Sequence, residues 1–154
     1  MLHRKRVVMV VTFVFMFMVM CAPAVFGQTV VTDAPTNQTT TTNICNGDVV
    51  TLNGTLHQEM SFSTNSNGMI HMVLNATSHL TGVGTSGLTY VENDSTHLET
   101  NARACAQENS NNWKLKLISQ GPAPNMMDHA TLHVVVDSSC VPKVEISKHQ
   151  MQCN

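Results

Sequence analysis

Alternation of apolar and polar residues limits the fold of this chain more than any other feature of its sequence. From Asp48 to Phe62, one set of alternate positions is almost entirely apolar or glycine: Val50, Leu52, Gly54, Leu56, Met60 and Phe62. The residues between them are mostly polar. Because a strand presents successive side chains on opposite faces, a period of two predicts a strand with one buried face.

The same period returns along the rest of the chain. Residues 69–77 alternate in the same way after a turn-like segment at 64–68, which predicts a long hairpin. Further strands are expected at 88–91, 96–103, 113–117, 126–137 and around 144–146, with turns at 82–87, 109–112 and 121–124. No segment has a convincing helical period. The sequence therefore predicts an all-β fold of seven or eight antiparallel strands, either a sandwich or a small closed barrel.

The first residues have the pattern of an export signal. Three cations at 4–6 precede an apolar run from Val7 to Cys21, which we expect to form a signal helix, and small residues follow. Cleavage is expected after Gly27, with Ala24 as the alternative site. An uncleaved membrane anchor is the competing interpretation, since the segment is long enough to span a bilayer, but Pro23 favours cleavage.

Three segments follow from these patterns: a signal peptide at 1–27, a leader at 28–43 and one β-domain at 44–154. The leader is rich in threonine and lacks periodic apolar residues, so we expect it to be flexible. The β-domain has about 110 residues, enough for one modest core.

Charge and aromatic content exclude some partners. Without the signal, five cations stand against ten acids, a net charge of −5. The five cations are dispersed, whereas phosphate binding needs clustered Lys and Arg, so nucleic acid is excluded. Only Phe62, Tyr90 and Trp113 remain as aromatics, which disfavours carbohydrate and base stacking.

Four cysteines remain after the signal, an even number that is typical of a disulfide-stabilised exported domain. No two of them form a Cys-x-x-Cys pair, and three disulfide pairings are possible. If sequential strands pair as a meander that closes on itself, Cys45 would lie beside Cys153. Cys105 would then pair with Cys140.

Histidines are the only candidates for a metal site. His57, His71, His129 and His133 fall on the polar face of the predicted strands. On a strand, His129 and His133 would lie about 13 Å apart, too far to share one ion. A cross-strand site among the four is the alternative; we expect solvated histidines and no bound metal.

Catalytic motifs give no support for an enzyme. The glycines of 82–87 fit a dinucleotide-binding string, but that motif needs a following helix and the next residues are strand-like. They are expected to form a tight loop. A nucleophile elbow is absent, and Glu92 and Asp94 are interpreted as loop charges. We expect no catalytic residues and no cofactor.

Several segments resemble a family of small exported bacterial proteins of unknown function. The segments are Asn43–His57, Gly82–Tyr90, Leu117–Pro122 with Asn125, and the closing Cys153. The resemblance implies an envelope or extracellular setting and no established activity. Because members share a cysteine near each end of the domain, it supports Cys45–Cys153 and makes Cys105–Cys140 a local addition.

These observations favour an exported, non-catalytic β-domain that binds a small apolar ligand or a protein partner at the cell envelope. It would have no membrane attachment once the signal is cleaved. A histidine-based metal-binding protein, catalytic or not, is one alternative. A purely structural envelope component is another. The sequence does not predict the oligomeric state.

Overall fold

The computed structural model describes residues 27–154, and most of these residues lie in one antiparallel sheet. The strands are β1 (Gln28–Asn43), β2 (Asp48–Thr64), β3 (Ile70–Gly84), β4 (Thr89–Arg103), β5 (Ala106–Ser119), β6 (Met126–Val136) and β7 (Pro142–Cys153). Each strand pairs with its neighbours in the sequence, so the sheet order is β1 to β7 without a crossover. The predicted all-β antiparallel fold of seven or eight strands is confirmed. The predicted signal segment, apart from Gly27, lies outside the described residues.

The hairpin of β2 and β3 has the predicted turn. Thr64 pairs with Ile70, the Asn65 amide donates to the Met69 carbonyl, and Gly68 has a φ of 73°. A positive φ costs glycine little because it has no Cβ, so this glycine fits the turn. Asn65 adds two further bonds, since its side-chain oxygen accepts from the amides of Asn67 and Met69.

The turn predicted at 109–112 is wrong, because these residues lie inside β5. The chain instead reverses between Arg103 and Ala106, where Ala104 has a φ of 52°. Two of the three asparagines are held in the strand by side-chain bonds across the sheet. Thr100 donates to Asn109 at 2.9 Å, and Thr131 donates to Asn112 at 3.0 Å. The preference of asparagine for turns is thus overridden by cross-strand partners.

The leader at 28–43 is not flexible: it forms β1 and pairs with β2 along its whole length, apart from a bulge between Thr36 and Thr39. Threonine is β-branched and favours strands, so the composition is compatible with this structure. The segment lacks apolar periodicity because an edge strand buries little of its surface. The single domain therefore begins at β1.

The buried core lies at one end of the sheet. Its residues come from five strands: Val50, Leu52, Leu80, Tyr90, Leu115, Leu117 and Met126. In a flat sheet β2 and β6 would be about 19 Å apart, so these side chains meet only because the sheet coils. Gly82 permits a close approach, since a Cβ there would overlap the backbone of Thr51. Side chains of one face therefore pack against each other across the coiled sheet.

A disulfide ties the first hairpin to the last strand at this end, which we call the disulfide end. Cys45 bonds Cys153 with a Cα–Cα distance of 5.7 Å. Beside it, the Asn43 side chain donates to the Pro124 carbonyl at 2.9 Å, and Asn125 and Asn154 exchange two backbone bonds.

No ladder joins β1 to β7 in residues 27–154, so the sheet is not closed and the closed-barrel prediction is wrong. Both strands run towards the disulfide end, because an odd number of antiparallel strands leaves the first and last parallel. Closing the sheet would require a parallel pair of strands, a pairing slightly less stable per residue than the antiparallel one. The coiled sheet is sandwich-like only where its two halves pack over the core.

A second disulfide lies at the opposite end, where Cys105 in the β4–β5 turn bonds Cys140 in the β6–β7 turn. Both predicted disulfide pairings are confirmed. Two structural disulfides fit an oxidising compartment, such as the periplasm or the cell exterior.

Candidate functional site

The sheet has two chemically different faces. The inner face carries the core at the disulfide end. Towards the other end the same face stays apolar but is only partly covered, in a region that we call the inner trough. Its residues come from five strands: Val30, Met60, Phe62, Met72, Leu74, Leu98, Leu132 and Val134. Between them β5 presents the polar Asn109 and Asn111 to the same face. Val30 is 38% exposed and Leu132 is 40% exposed, so the trough is open to solvent at its rims. An open apolar surface of this kind is typical of a binding site.

The two edges of the sheet differ in their protection. All twelve residues of β7 are exposed, and the strand has no proline after Pro142. The register of β7 also shifts, but at Lys143, directly after Pro142. In β1, Pro35 and a bulge between Thr36 and Thr39 lie in the middle of the strand. Proline and bulges are the devices that stop further strands from pairing with an edge. The edge at β7 is therefore the more accessible of the two.

Two carboxyl groups face the interior from β4. Glu92 is only 3% exposed, and neither its Oε2 nor Oδ1 of Asp94 has a hydrogen-bond partner. Burial, together with the nearby Asp94 carboxyl, raises the pKa of Glu92 to about 7, against a smaller opposing effect of the Thr41 hydroxyl. The interpretation of Glu92 and Asp94 as loop charges is wrong. They alternate with outward residues on a strand, so period two would have placed them inside.

Burial also raises the pKa of Asp94, partly offset by the Ser78 hydroxyl and the Glu92 carboxyl. The two acids are two residues apart on one strand and share a face. Charging both would place two like charges close together in a poorly solvated interior, so the pair retains a proton near neutral pH.

A third buried acid, Asp48, joins two turns at the disulfide end. Its carboxylate accepts from the Thr85 hydroxyl at 2.7 Å, from the amide and hydroxyl of Ser86, and from the Tyr90 hydroxyl at 2.9 Å. The hydrogen bonds from Ser86 and Thr85 hold the pKa of Asp48 well below its usual range. All its bonds stay within the fold, so we assign Asp48 a structural role.

The glycines at 82–87 belong to the same region, and the expectation that they form a tight loop holds only for Gly87, since the loop between β3 and β4 begins after Gly84. Gly82 and Gly84 end β3, and the Gly87 amide donates back to the Gly84 carbonyl at 2.9 Å. The following residues form β4 rather than a helix.

Six of the seven histidines in residues 27–154 lie on the outer face. Five of them bond through Nδ1 to the residue directly opposite on a neighbouring strand: His57 to Asp33, His71 to Asn101, His79 to Asn93, His97 to Asn75 and His133 to Ser110, at 2.7–2.8 Å. Asp33 and the asparagines accept through oxygen, so Nδ1 carries the proton in those four pairs. In a neutral ring of this kind, Nε2 is the free acceptor.

The four predicted metal candidates lie on one face but are not brought together. His57 on β2 and His129 on β6 are separated by three intervening strands. His71 lies near the end of β3 that is farther from the disulfide end. On β6, His133 lies four residues beyond His129, a distance of about 13 Å. Within residues 27–154, no three His, Cys, Asp or Glu side chains are grouped as a metal site.

Sequence reasoning missed His79. The turn at 64–68 sets the hairpin register, in which Thr64 pairs with Ile70 and therefore Thr55 pairs with His79. Counting outward from that turn would have placed His79 diagonally beside His57.

The described residues contain no helix of the length and apolarity that a membrane span requires.

Comparisons with known proteins add no further constraint. No protein-family model, no curated protein and no solved structure matches this chain.

Proposed function

We propose that this chain is an exported, non-catalytic binding module that adds an extended segment of a protein partner to its sheet along β7. The observation that carries the proposal is the contrast between the edges. β7 is exposed over its whole length and has its proline and bulge only at its first residues, whereas Pro35 and a bulge interrupt the middle of β1. Adding a strand to an exposed edge is a common mode of peptide recognition, in which main-chain bonds give the affinity.

The direction of the bound segment follows from the topology. A segment antiparallel to β7 would run away from the disulfide end. Because β1 runs parallel to β7, the same segment would also be antiparallel to β1. An eighth strand would thus continue the up-and-down order of the sheet.

The side chains of the segment are constrained by the two faces. Alternate residues would point to the inner side, where β7 presents Glu145, Ser147, His149 and Met151. The residues between them would face solvent with Val144 and Ile146. We therefore expect a partner segment with apolar residues at every second position, where they can contact the exposed side chains of Val144 and Ile146.

Export is supported by the signal pattern of the first residues and by the two disulfides. The resemblance to small exported bacterial proteins supports the same compartment. The partner would accordingly be a protein of the envelope or the extracellular space.

Selection from a library of random peptides, followed by paired proline substitutions in β7, tests the proposal. Successive N–H groups of an edge strand point alternately to the neighbouring strand and to solvent. Of Ser147→Pro and Lys148→Pro, one therefore breaks a bond to β6 and lowers stability. The other leaves the sheet intact and removes only an outward donor.

We expect the stable proline variant to lose binding of the selected peptides by at least tenfold. Selected peptides should share alternating apolar residues and should slow amide exchange in β7 rather than in β1. If the stable variant binds as tightly as the wild type, or if no peptide is selected, strand addition is wrong. Binding of an apolar dye in the inner trough that survives both substitutions would instead indicate a small apolar ligand.

A further inference from the structure

His57 and His79 are diagonal neighbours across the β2–β3 ladder on the outer face. His57 pairs with Thr77, and His79 pairs with Thr55. Diagonal residues of an antiparallel pair lie about 7–8 Å apart, within reach of long or aromatic side chains. The two imidazoles can therefore approach one another over the ladder.

Their hydrogen bonds turn the two rings towards each other. Nδ1 of His57 bonds Asp33 on β1, at 2.7 Å, while Nδ1 of His79 bonds Asn93 on β4, at 2.7 Å. These partners lie on opposite sides of the β2–β3 pair. In an imidazole ring the Cδ2–Nε2 edge is opposite Nδ1, so both Nε2 edges face the space between β2 and β3.

That space is a depression of about 380 Å³ in the outer surface. It is lined by both histidines together with Thr55, Thr77 and Asn93. The residues that line it have polar side chains and it is open to solvent, so water can complete the coordination of an ion bound there.

We propose that His57 and His79 bind one divalent transition-metal ion, such as Zn²⁺, through their Nε2 atoms. Imidazole nitrogen suits Zn²⁺, Cu²⁺ and Ni²⁺. Asp33 and Asn93 would act as positioning residues, because a carboxylate or amide on the second nitrogen fixes the tautomer and the orientation of a ligating histidine. With two protein ligands and water, the site binds more weakly than a structural zinc site with four. The inference is independent of strand addition at β7.

The remaining histidines provide a matched control. His97 is bonded to Asn75 through Nδ1 in the same way, at 2.7 Å, but its diagonal neighbours on β3 and β5 are Val73, Thr77, Ser110 and Lys114. Within residues 27–154, His57 and His79 form the only diagonal pair of histidines on adjacent strands.

Zn²⁺ titration by calorimetry, on the exported protein purified without an affinity tag and with both disulfides formed, tests the site. We expect one Zn²⁺ per chain. His57→Gln and His79→Gln should each weaken binding at least tenfold, and the double variant should be little worse than either one. His97→Gln should bind as the wild type does.

A second measurement needs no variant. Paramagnetic Co²⁺, added in small amounts to the wild-type protein, should broaden the imidazole proton signals of His57 and His79 before those of His97 and His133. The proposal is overturned if no Zn²⁺ binds at millimolar concentration. It is equally overturned if the three single variants lose affinity alike, or if Co²⁺ broadens all the histidines together.

Discussion

Glu92 is an ionisable residue in an environment that is unfavourable for a charge. Its carboxyl is 3% exposed in a core that is otherwise mainly apolar, and Oε2 has no partner. A buried acid remains protonated up to a higher pH because charging it requires removing its charge from water. The folded state therefore resists ionisation of Glu92, and the unfolded state does not.

This residue makes stability depend on pH. The folded pKa of Glu92 is raised from 4.5 to about 7. The contribution of protonated Glu92 to the free energy of unfolding is thus fully present below pH 4.5 and is lost as pH rises through 7. At about 1.4 kcal/mol per unit, the raised pKa corresponds to a loss of roughly 3 kcal/mol above pH 7. We expect the free energy of unfolding, measured with urea, to be higher at pH 5 than at pH 8.

Glu92→Gln separates this effect from the titration of the histidines. The amide has nearly the same shape and carries no charge, so the variant should be more stable than the wild type at pH 8. At pH 5 the difference should shrink. Equal stability of the two proteins at pH 8 would contradict the assignment.

At the residue scale, the alternation of apolar and polar residues predicted most of the buried positions correctly. It placed Val50, Leu52 and Leu117 inside, and all three are fully buried. It would have placed Glu92 inside as well, had the strand not been divided at 92–95, where acidic and polar residues look like a loop. A charged residue in the core is unfavourable on average, so composition pointed away from the observed structure.

At the scale of the strand, β1 shows why composition is a poor guide at the edge of a sheet. An edge strand gains its stability from main-chain bonds on one side and buries few side chains. Thr39, Thr40 and Thr41 pair with β2 without any apolar periodicity. A threonine-rich segment that docks in this way cannot be distinguished from a flexible leader by its apolar pattern alone.

Removal of 28–43 therefore has opposite consequences for the two interpretations. A flexible leader could be deleted without loss of stability. Because β1 supplies the whole ladder on one side of β2 and contributes Asn43, a fully buried residue, we expect its deletion to abolish cooperative unfolding or to lower the midpoint in urea sharply. Thermal unfolding followed by circular dichroism measures this.

A milder variant keeps the test informative if the truncated chain does not fold. Asn43→Ala removes the bond to the Pro124 carbonyl and leaves that buried region with one donor fewer. We expect a loss of about 1–3 kcal/mol. A truncated protein as stable as the chain that keeps β1 would show that β1 contributes nothing to the fold.

At the scale of the molecule, each disulfide fixes one end of a sheet that is not closed by hydrogen bonds. Cys45–Cys153 spans 108 residues and joins the first hairpin to the last strand, whereas Cys105–Cys140 spans 35 residues and joins two neighbouring turns. Both pairings were expected from a meander that closes on itself; the sheet is not closed by hydrogen bonds, but its coiling still brings Cys45 and Cys153 together and leaves the other two cysteines for each other. The open sheet was not expected, since no local pattern reports whether the last strand reaches the first.

The two disulfides should therefore differ in their contribution to stability. In the chain-entropy model, loops of 108 and 35 residues correspond to about 4.8 and 3.8 kcal/mol, a difference of about 1 kcal/mol. Cys45 also packs against the core. Without its disulfide, the coiled sheet would be held together at that end mainly by the hydrogen bonds of Asn43, Asn125 and Asn154. We expect Cys45→Ser with Cys153→Ser to lower the unfolding free energy in guanidinium more than Cys105→Ser with Cys140→Ser does. The reverse order would mean that the disulfide end is held by its core and hydrogen bonds, and that the coil of the sheet does not depend on the longer link.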